Sequence, residues 1–272
     1  MNQYRERLGQ GEERVFTVEE TLYQGQTAFQ HVDIIRATGY GRVLFLNGER
    51  QSSEADEFIY HEMLVHPTLF RHPAPRRIFL AGGGEGAVSR EILKHTSVET
   101  ITQVDIDGQL IELCRQYLPA WSQGAYEDPR LHLIIGDALA HLRQTDERYD
   151  IIFLDLPEWS PDTPARELYT PEFYALVRQR LSPGGLMALQ VGPVHPVHLA
   201  PFINVAQRVR AAFAHVILYP VTELRWGFGI CADAPPPAGL FDAARLAAPL
   251  RYYNAQLHAE LGALPTYIQQ AL

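Results

Sequence analysis

Five acidic residues stand where runs of apolar residues give out: Glu85 after IFLAGGG, Asp105 after ETITQV, Asp137 after LHLIIG, and Asp155 with Glu158 after YDIIFL. A carboxylate at the end of a strand can accept from hydroxyls, attract a cation or take up a proton. Gly82, Gly83 and Gly84 precede the first of them, and glycines there let the backbone turn tightly and approach a ligand. Asp105 follows about twenty residues later, the distance at which a carboxylate meets both hydroxyls of a ribose. Asp137 fits an adenine amino group, with Ala138 and Leu139 lining the ring, and Asp107 is placed to cap the next helix. So many acids repel a pyrophosphate and attract a nucleoside bearing a sulfonium or an amine. The expected ligand is a cationic adenosine sulfonium, not NAD.

Asp155 and Glu158 lie three positions apart on one loop, where they can hold a polyamine chain and where one can take a proton from an attacking nitrogen. A primary alkylammonium has a pKa of about 10 and is no nucleophile while protonated. Asp155 is therefore expected to act as base, with the Tyr60 hydroxyl sharing the load. The same spacing of acids also serves simply to cap a turn. Tyr60 and His61 fall between two regions of different pattern, a common place for a substrate cleft. Trp159 is either a wall for the methylenes of an amine or packing for a lid, and Trp226 belongs with it.

These residues need a scaffold, and the apolar rhythm describes one. Residues 14–51 alternate apolar and polar positions between Gly-rich turns, the pattern of a small antiparallel sheet that must pack on something else. DEFIYHEMLVHPTLF, residues 56–70, has helical spacing and links that sheet to the remainder. Short apolar strands then alternate with helices: RRIFLAG, ETITQVD, LHLIIGD, YDIIFLD and LMALQVG, followed by HVILYPV and WGFGICA. The fold class expected is α/β, a Rossmann-like, methyltransferase-type, mainly parallel seven-stranded sheet with a small N-terminal antiparallel β domain. Its loops after the first four strands line one edge. The boundaries are 1–54 for the β domain and 55–272 for the catalytic domain, with FDAARLAAPLRYYNAQLHAEL as a helical cap.

Of the 272 residues, 32 are acidic and 23 basic, giving a formal charge of -9, and Lys94 is the sole lysine. That balance speaks against nucleic acid and suits a cationic substrate. Cys114 and Cys231 sit in apolar contexts and read as buried free thiols, and the histidines form no metal-ligand spacing. No metal and no membrane span are expected, and a cytoplasmic location follows.

In GYGRVLFLNGERQ, EADEFIYHEM, IFLAGGGEGAVSREILKH, VDID, GDA, YDIIFLD and the final RYYN with LP, nearly the whole chain resembles the spermidine synthase family in order. The likeness is to bacterial and archaeal polyamine aminopropyltransferases carrying GGGEG and an insert like WSQGAYEDPRL. It implies transfer of the aminopropyl group of decarboxylated S-adenosylmethionine to putrescine, agmatine or a triamine, with release of methylthioadenosine. The donor is a co-substrate, and no cofactor stays bound. Carried over, the resemblance gives Gln30 and Glu85 to the donor's aminopropyl end, Asp105 to the ribose, Asp137 to the adenine, Asp155 to the base, and Tyr60 and His61 to the acceptor. It further implies a homodimer or a homotetramer. Where the family has D-x-x-D-P, this chain has Glu158 and Trp159, and its acceptor loop is short, so that Glu223 is the candidate anchor there. Two other functions share these features: a methyltransferase using S-adenosylmethionine, which tolerates the donor's carboxylate, and a noncatalytic polyamine or nucleoside sensor.

Overall fold

A computed structural model describes residues 2–8, 11–158 and 164–272. Strands β1 (Asn2–Arg7), β2 (Glu13–Gln26), β3 (His31–Ala37), β4 (Gly41–Leu46) and β5 (Glu49–Ser53) form an antiparallel sheet in chain order. Its turn at Asn47 and Gly48, φ 52° and 85°, is the Asn-Gly hairpin whose twist matches the flanking strands. β1 lies outside the expected 14–51 because NQYRER has too few apolar residues to show an alternation.

The period of two sorts this sheet into two faces. Val32, Ile34, Leu44 and Leu46 pack with Ala87, Leu110, Cys114 and Trp121 of the second unit, while Phe16, Ile35, Val43 and Phe45 form a core of their own. The helix α1 (Glu57–Arg71) follows, one residue from each expected end, with nearly every residue from His61 onward buried.

The larger sheet alternates as the sequence predicts. Its elements are β6 (Arg77–Gly82), α2 (Ala87–Leu93), β7 (Thr100–Asp105), α3 (Gly108–Tyr117), α4 (Pro119–Ser122), β8 (Leu131–Ile135), α5 (Ala138–Gln144), β9 (Tyr149–Asp155), α6 (Pro171–Arg180), β10 (Leu181–Pro193), α7 (Ala200–Ala212), β11 (His215–Val221) and β12 (Trp226–Ala232). The strand order is β11-β12-β10-β9-β6-β7-β8, and only β12 runs antiparallel to its neighbours. Phe79, Ile152, Leu154 and Met187 pack on one face, and Ile78, Leu80, Ile151 and Phe153 on the other, which is why these strands read as unbroken apolar runs. The chain leaves β6 toward β7 on one side and returns to β9 on the other, so the switch point lies between β6 and β9. Ligands of such sheets bind at that crevice.

The C-terminal stretch departs from the expected helical cap: only α8 (Ala255–Ala259) and α9 (Thr266–Ala271) are α-helical. The cause is Glu62. Its buried carboxylate accepts from the backbone N–H groups of Arg251, Tyr252 and Tyr253 at 2.7, 2.8 and 2.8 Å, holding the segment in a turn a helix cannot supply. Asn254 then caps the short α8.

Gly82 has φ 82°, and a Cβ there would lie 2.1 Å from the Asp155 carbonyl oxygen. Gly39 has φ 80° with open space around it. Gly82→Ala should destabilise the protein by at least about 2 kcal/mol, and Gly39→Ala by clearly less. Urea unfolding of both variants checks this, and equal midpoints would show that the turn yields to a side chain.

Candidate active site

The site begins with the glycine turn after β6. Gly82 and Gly83, with φ 82° and 74°, fold the chain back so that the Gly83 N–H donates to the Asp155 carbonyl at 3.2 Å. Gln103 of β7 donates its amide to the carbonyls of Gly82 and Gly83, at 2.9 Å each, and is held by the Ser89 hydroxyl at 2.9 Å. The Tyr126 hydroxyl donates to the Gly84 carbonyl at 2.9 Å. All three carbonyls of the turn are thereby pinned, and Glu85 follows them.

Gly82 faces Asp155 in the β6–β9 register, so the turn and the end of β9 share one wall of the cleft. There Glu85 Oε2 accepts from the Ser52 hydroxyl at 2.9 Å and lies 3.8 Å from His61 Nε2. Burial pushes Glu85 up to about 7; His61 opposes this, the charge of Asp155 adds to it, and Ser52 opposes it. Asp105, whose Oδ1 accepts from the Asp107 N–H at 2.9 Å, is raised to about 6, chiefly by burial. Asp155 Oδ1 accepts from the Tyr60 hydroxyl at 2.9 Å; burial raises this carboxyl too, and His61 and Tyr60 offset part of the rise. Tyr60 is itself pushed far up by burial and by Asp155, so it stays a neutral donor.

The neighbouring cations are occupied elsewhere. Arg90 donates to Glu57 at 2.9 Å and to Glu91 at 2.8 Å, and Lys94 pairs with Glu91 at 2.7 Å. His61 Nδ1 is 2.8 Å from Glu57; burial opposes its protonation, but Glu57 and the charges of Glu85 and Asp155 raise it on balance. Among the described residues, no arginine or lysine pairs with Glu85, Asp105 or Asp155. The cleft presents three desolvated acids beside a tyrosine and a histidine, an arrangement chemically able to receive an organic cation and to take up a proton.

The structure gathers Tyr60, His61, Gly82, Gly83, Gly84, Glu85, Asp105 and Asp155 around this crevice. Asp107 caps α3 by accepting from the Leu110 N–H at 3.0 Å. Gln30, on the β2–β3 loop, donates to Asp107 at 3.0 Å, which sets it beside the loop after β7. Asp137 is exposed and caps α5 through the Leu139 N–H at 2.8 Å, with Ala138 and Leu139 buried behind it. Glu158 is exposed on the loop after β9, and Trp159 lies outside the described residues. Glu223 is exposed in the β11–β12 turn, where it faces Tyr252. Sequence reasoning missed Ser52, Gln103, Trp121 and Tyr126. Gln103 did leave a signal, being an amide in the middle of a strand with no exposed face.

Residues 57–234 match the family model of the spermine/spermidine synthase domain, and residues 3–54 that of the spermidine synthase tetramerisation domain. The chain is 40% identical over 223 residues to polyamine aminopropyltransferase 2 of Pseudomonas aeruginosa, covering 80% of this chain and 64% of that longer relative. To polyamine aminopropyltransferase 1 of the same organism it is 38% identical over 285 residues, covering 100% of this chain and 98% of the relative. Among solved structures, a spermidine synthase in complex with the transition state analogue AdoDATO superposes with a TM-score of 0.89 at 28% identity, covering 99% of this chain and 94% of that one.

The raised carboxyl of Glu85 makes stability depend on pH. The folded state binds this proton more tightly than the unfolded state, so its contribution is full below the ordinary glutamate range and is lost as pH rises toward about 7. Relative to Glu85→Gln, the ligand-free wild type should lose on the order of 3 kcal/mol between the ordinary glutamate pKa and neutrality, then run parallel. Urea unfolding of both proteins across that range checks it. A difference that does not change with pH would show Glu85 to be solvated.

Proposed function

The chain belongs to the spermidine synthase family of polyamine aminopropyltransferases, and on that premise we propose how its cleft moves the aminopropyl group of decarboxylated S-adenosylmethionine onto a polyamine acceptor. The donor lies along the edge of β6, β7 and β8. Asp105 accepts from the ribose hydroxyls, and Asp137 receives the adenine amino group over Ala138 and Leu139. Gly82, Gly83 and Gly84 let the backbone close on the donor. Gln30, tied to Asp107, serves the donor's aminopropyl end together with Glu85. Glu85 takes the ammonium of the aminopropyl arm. A donor that kept its α-carboxylate would set that group against Glu85, which separates this chemistry from methyl transfer.

The observation that carries the reading is the Tyr60–Asp155 hydrogen bond of 2.9 Å, in the same crevice as an acid that no arginine or lysine among the described residues neutralises. The acceptor nitrogen attacks the methylene beside the sulfonium, a carbon–nitrogen bond forms, and the carbon–sulfur pair leaves with sulfur as methylthioadenosine. The nitrogen's proton passes to Asp155. Burial makes that carboxylate a stronger base than a solvated aspartate, and Tyr60 fixes its orientation. His61 and Glu158 flank the acceptor, and the charge of Glu49 adds to that of Glu158 in drawing a second ammonium outward. The sulfonium is already a good leaving group, so the protein supplies alignment, charge and proton removal.

The N-terminal sheet leaves β1 as an unpaired edge, and assembly into a homodimer or a homotetramer covers such an edge. No helix among the described residues is long and apolar enough to cross a membrane.

Incubation with decarboxylated S-adenosylmethionine and putrescine, agmatine or spermidine should yield an amine heavier by one aminopropyl unit together with methylthioadenosine, both read by mass. Neither product with any amine would leave the sensor reading standing. Asp155→Asn should lower kcat about 10²- to 10⁴-fold while calorimetry finds donor affinity near that of the wild type. An equal loss of donor binding would remove Asp155 from the role of base.

A further inference from the structure

One residue that the functional reading does not use braces Glu85 from two sides. Trp121, buried in α4, donates its indole N–H to Ser52 Oγ at 2.9 Å, and Ser52 donates to Glu85 Oε2 at 2.9 Å. An indole N–H can only donate, so one lone pair of Ser52 is committed and its single proton is directed at the carboxylate. On the other side, the Trp121 carbonyl accepts from Arg90 Nη1 at 2.7 Å, and Arg90 Nη2 donates to Glu57 Oε2 at 2.9 Å. Glu57 holds His61 Nδ1 at 2.8 Å, and His61 Nε2 faces Glu85 at 3.8 Å. The ring closes through α1, α2, α4 and β5, with Ser52, Glu57, His61, Arg90 and Trp121 all buried. Glu85 is the one member that opens to the cleft.

We propose that Ser52 and Trp121 are positioning residues that keep Glu85 ionised and aimed at the donor's ammonium. The inference rests on the assignment of Glu85 to that ammonium. Every other influence around Glu85 is accounted for by its neighbours: Tyr60, His61 and Glu57 of α1, Asp155 of β9, Cys114 of α3 and Tyr126 after α4. Burial, Asp155 and Glu57 favour its protonation, whereas His61 and Ser52 oppose it. Because His61 is fixed by Glu57, the Ser52 hydroxyl is the adjustable support. Without it the carboxyl titrates higher, and donor capture that needs the carboxylate is lost at correspondingly higher pH.

The test is the pH profile of kcat/KM for decarboxylated S-adenosylmethionine at saturating amine, which reports the enzyme form that the donor meets. In Ser52→Ala the acidic limb should move up by about one pH unit, an approximately tenfold loss on that limb, with kcat falling less than kcat/KM. Trp121→Phe should move it in the same direction by less, and Ser52→Thr should bring it back. A limb that stays at the wild-type pH in Ser52→Ala, or a loss of equal size at every pH, overturns the proposal. Glu85→Gln with the wild-type donor KM would sink the assignment of Glu85 and this inference with it. If instead Glu85→Gln raises that KM and Ser52→Ala leaves the profile in place, only the support by Ser52 and Trp121 fails.

Discussion

Burying negative charge with a histidine beside it but no arginine or lysine to pair it, among the described residues, is the constraint on which this structure turns. The same chain shows what full compensation looks like. Glu91, one turn deeper in α2, is met by Arg90 at 2.8 Å, Lys94 at 2.7 Å and His66 at 2.8 Å, and its carboxyl is held well below the usual range despite its burial. Glu62 is fully buried and accepts from three backbone amides. Glu85 and Asp155 receive one hydroxyl donor each and Asp105 only the backbone N–H groups of Asp107 and Gly84, and all three titrate high. The shortfall is confined to the switch point of the sheet, where an incoming cation makes it good.

A deficit of this kind acts on a ligand only if its carboxylates cannot swing out to water. The turn is held at Gly82, Gly83 and Gly84 by Gln103 and Tyr126, and its first residue leaves no room for a side chain against Asp155. Asp155 is fixed by the β6–β9 register and by Tyr60. Because the pinning groups come from β7, α1 and the segment after α4, the site is set by the tertiary fold and not by any one loop. Such preorganisation lets charges act without reorganising at the moment of reaction.

The parts of the site legible in the sequence were those that local pattern dictates. A glycine run after an apolar strand and acids at the ends of the next strands are consequences of the chain's own period, and the structure places Glu85, Asp105 and Asp155 as that period requires. Gln30 was read through resemblance, and its hydrogen bond to Asp107 joins residues 77 positions apart. Ser52 was invisible for the same reason: its partners Glu85 and Trp121 are distant in sequence, and a serine beside a turn carries no signature. The C-terminal segment misled because its composition favours a helix, while one buried glutamate claims the backbone N–H groups that a helix would have used. Tertiary hydrogen bonding overrode local propensity.

In the proposed reaction the electrostatics also runs downhill toward release. The donor enters with two positive charges, on sulfur and on nitrogen, and both face acids that gain by the encounter. Bond formation moves the aminopropyl arm, with its ammonium, to the acceptor, and the sulfonium becomes a neutral thioether. Methylthioadenosine is then held by the ribose and adenine contacts alone, while Glu85 faces an ammonium that belongs to the other product. As the longer amine departs and Asp155 gives up the proton taken from the nitrogen, Glu85, Asp105 and Asp155 are again desolvated and without a bound substrate cation, which restores the pull on the next donor. Neutralising Glu85 permanently with an arginine would relieve the cost of burial and remove the difference between substrate and product on which turnover depends.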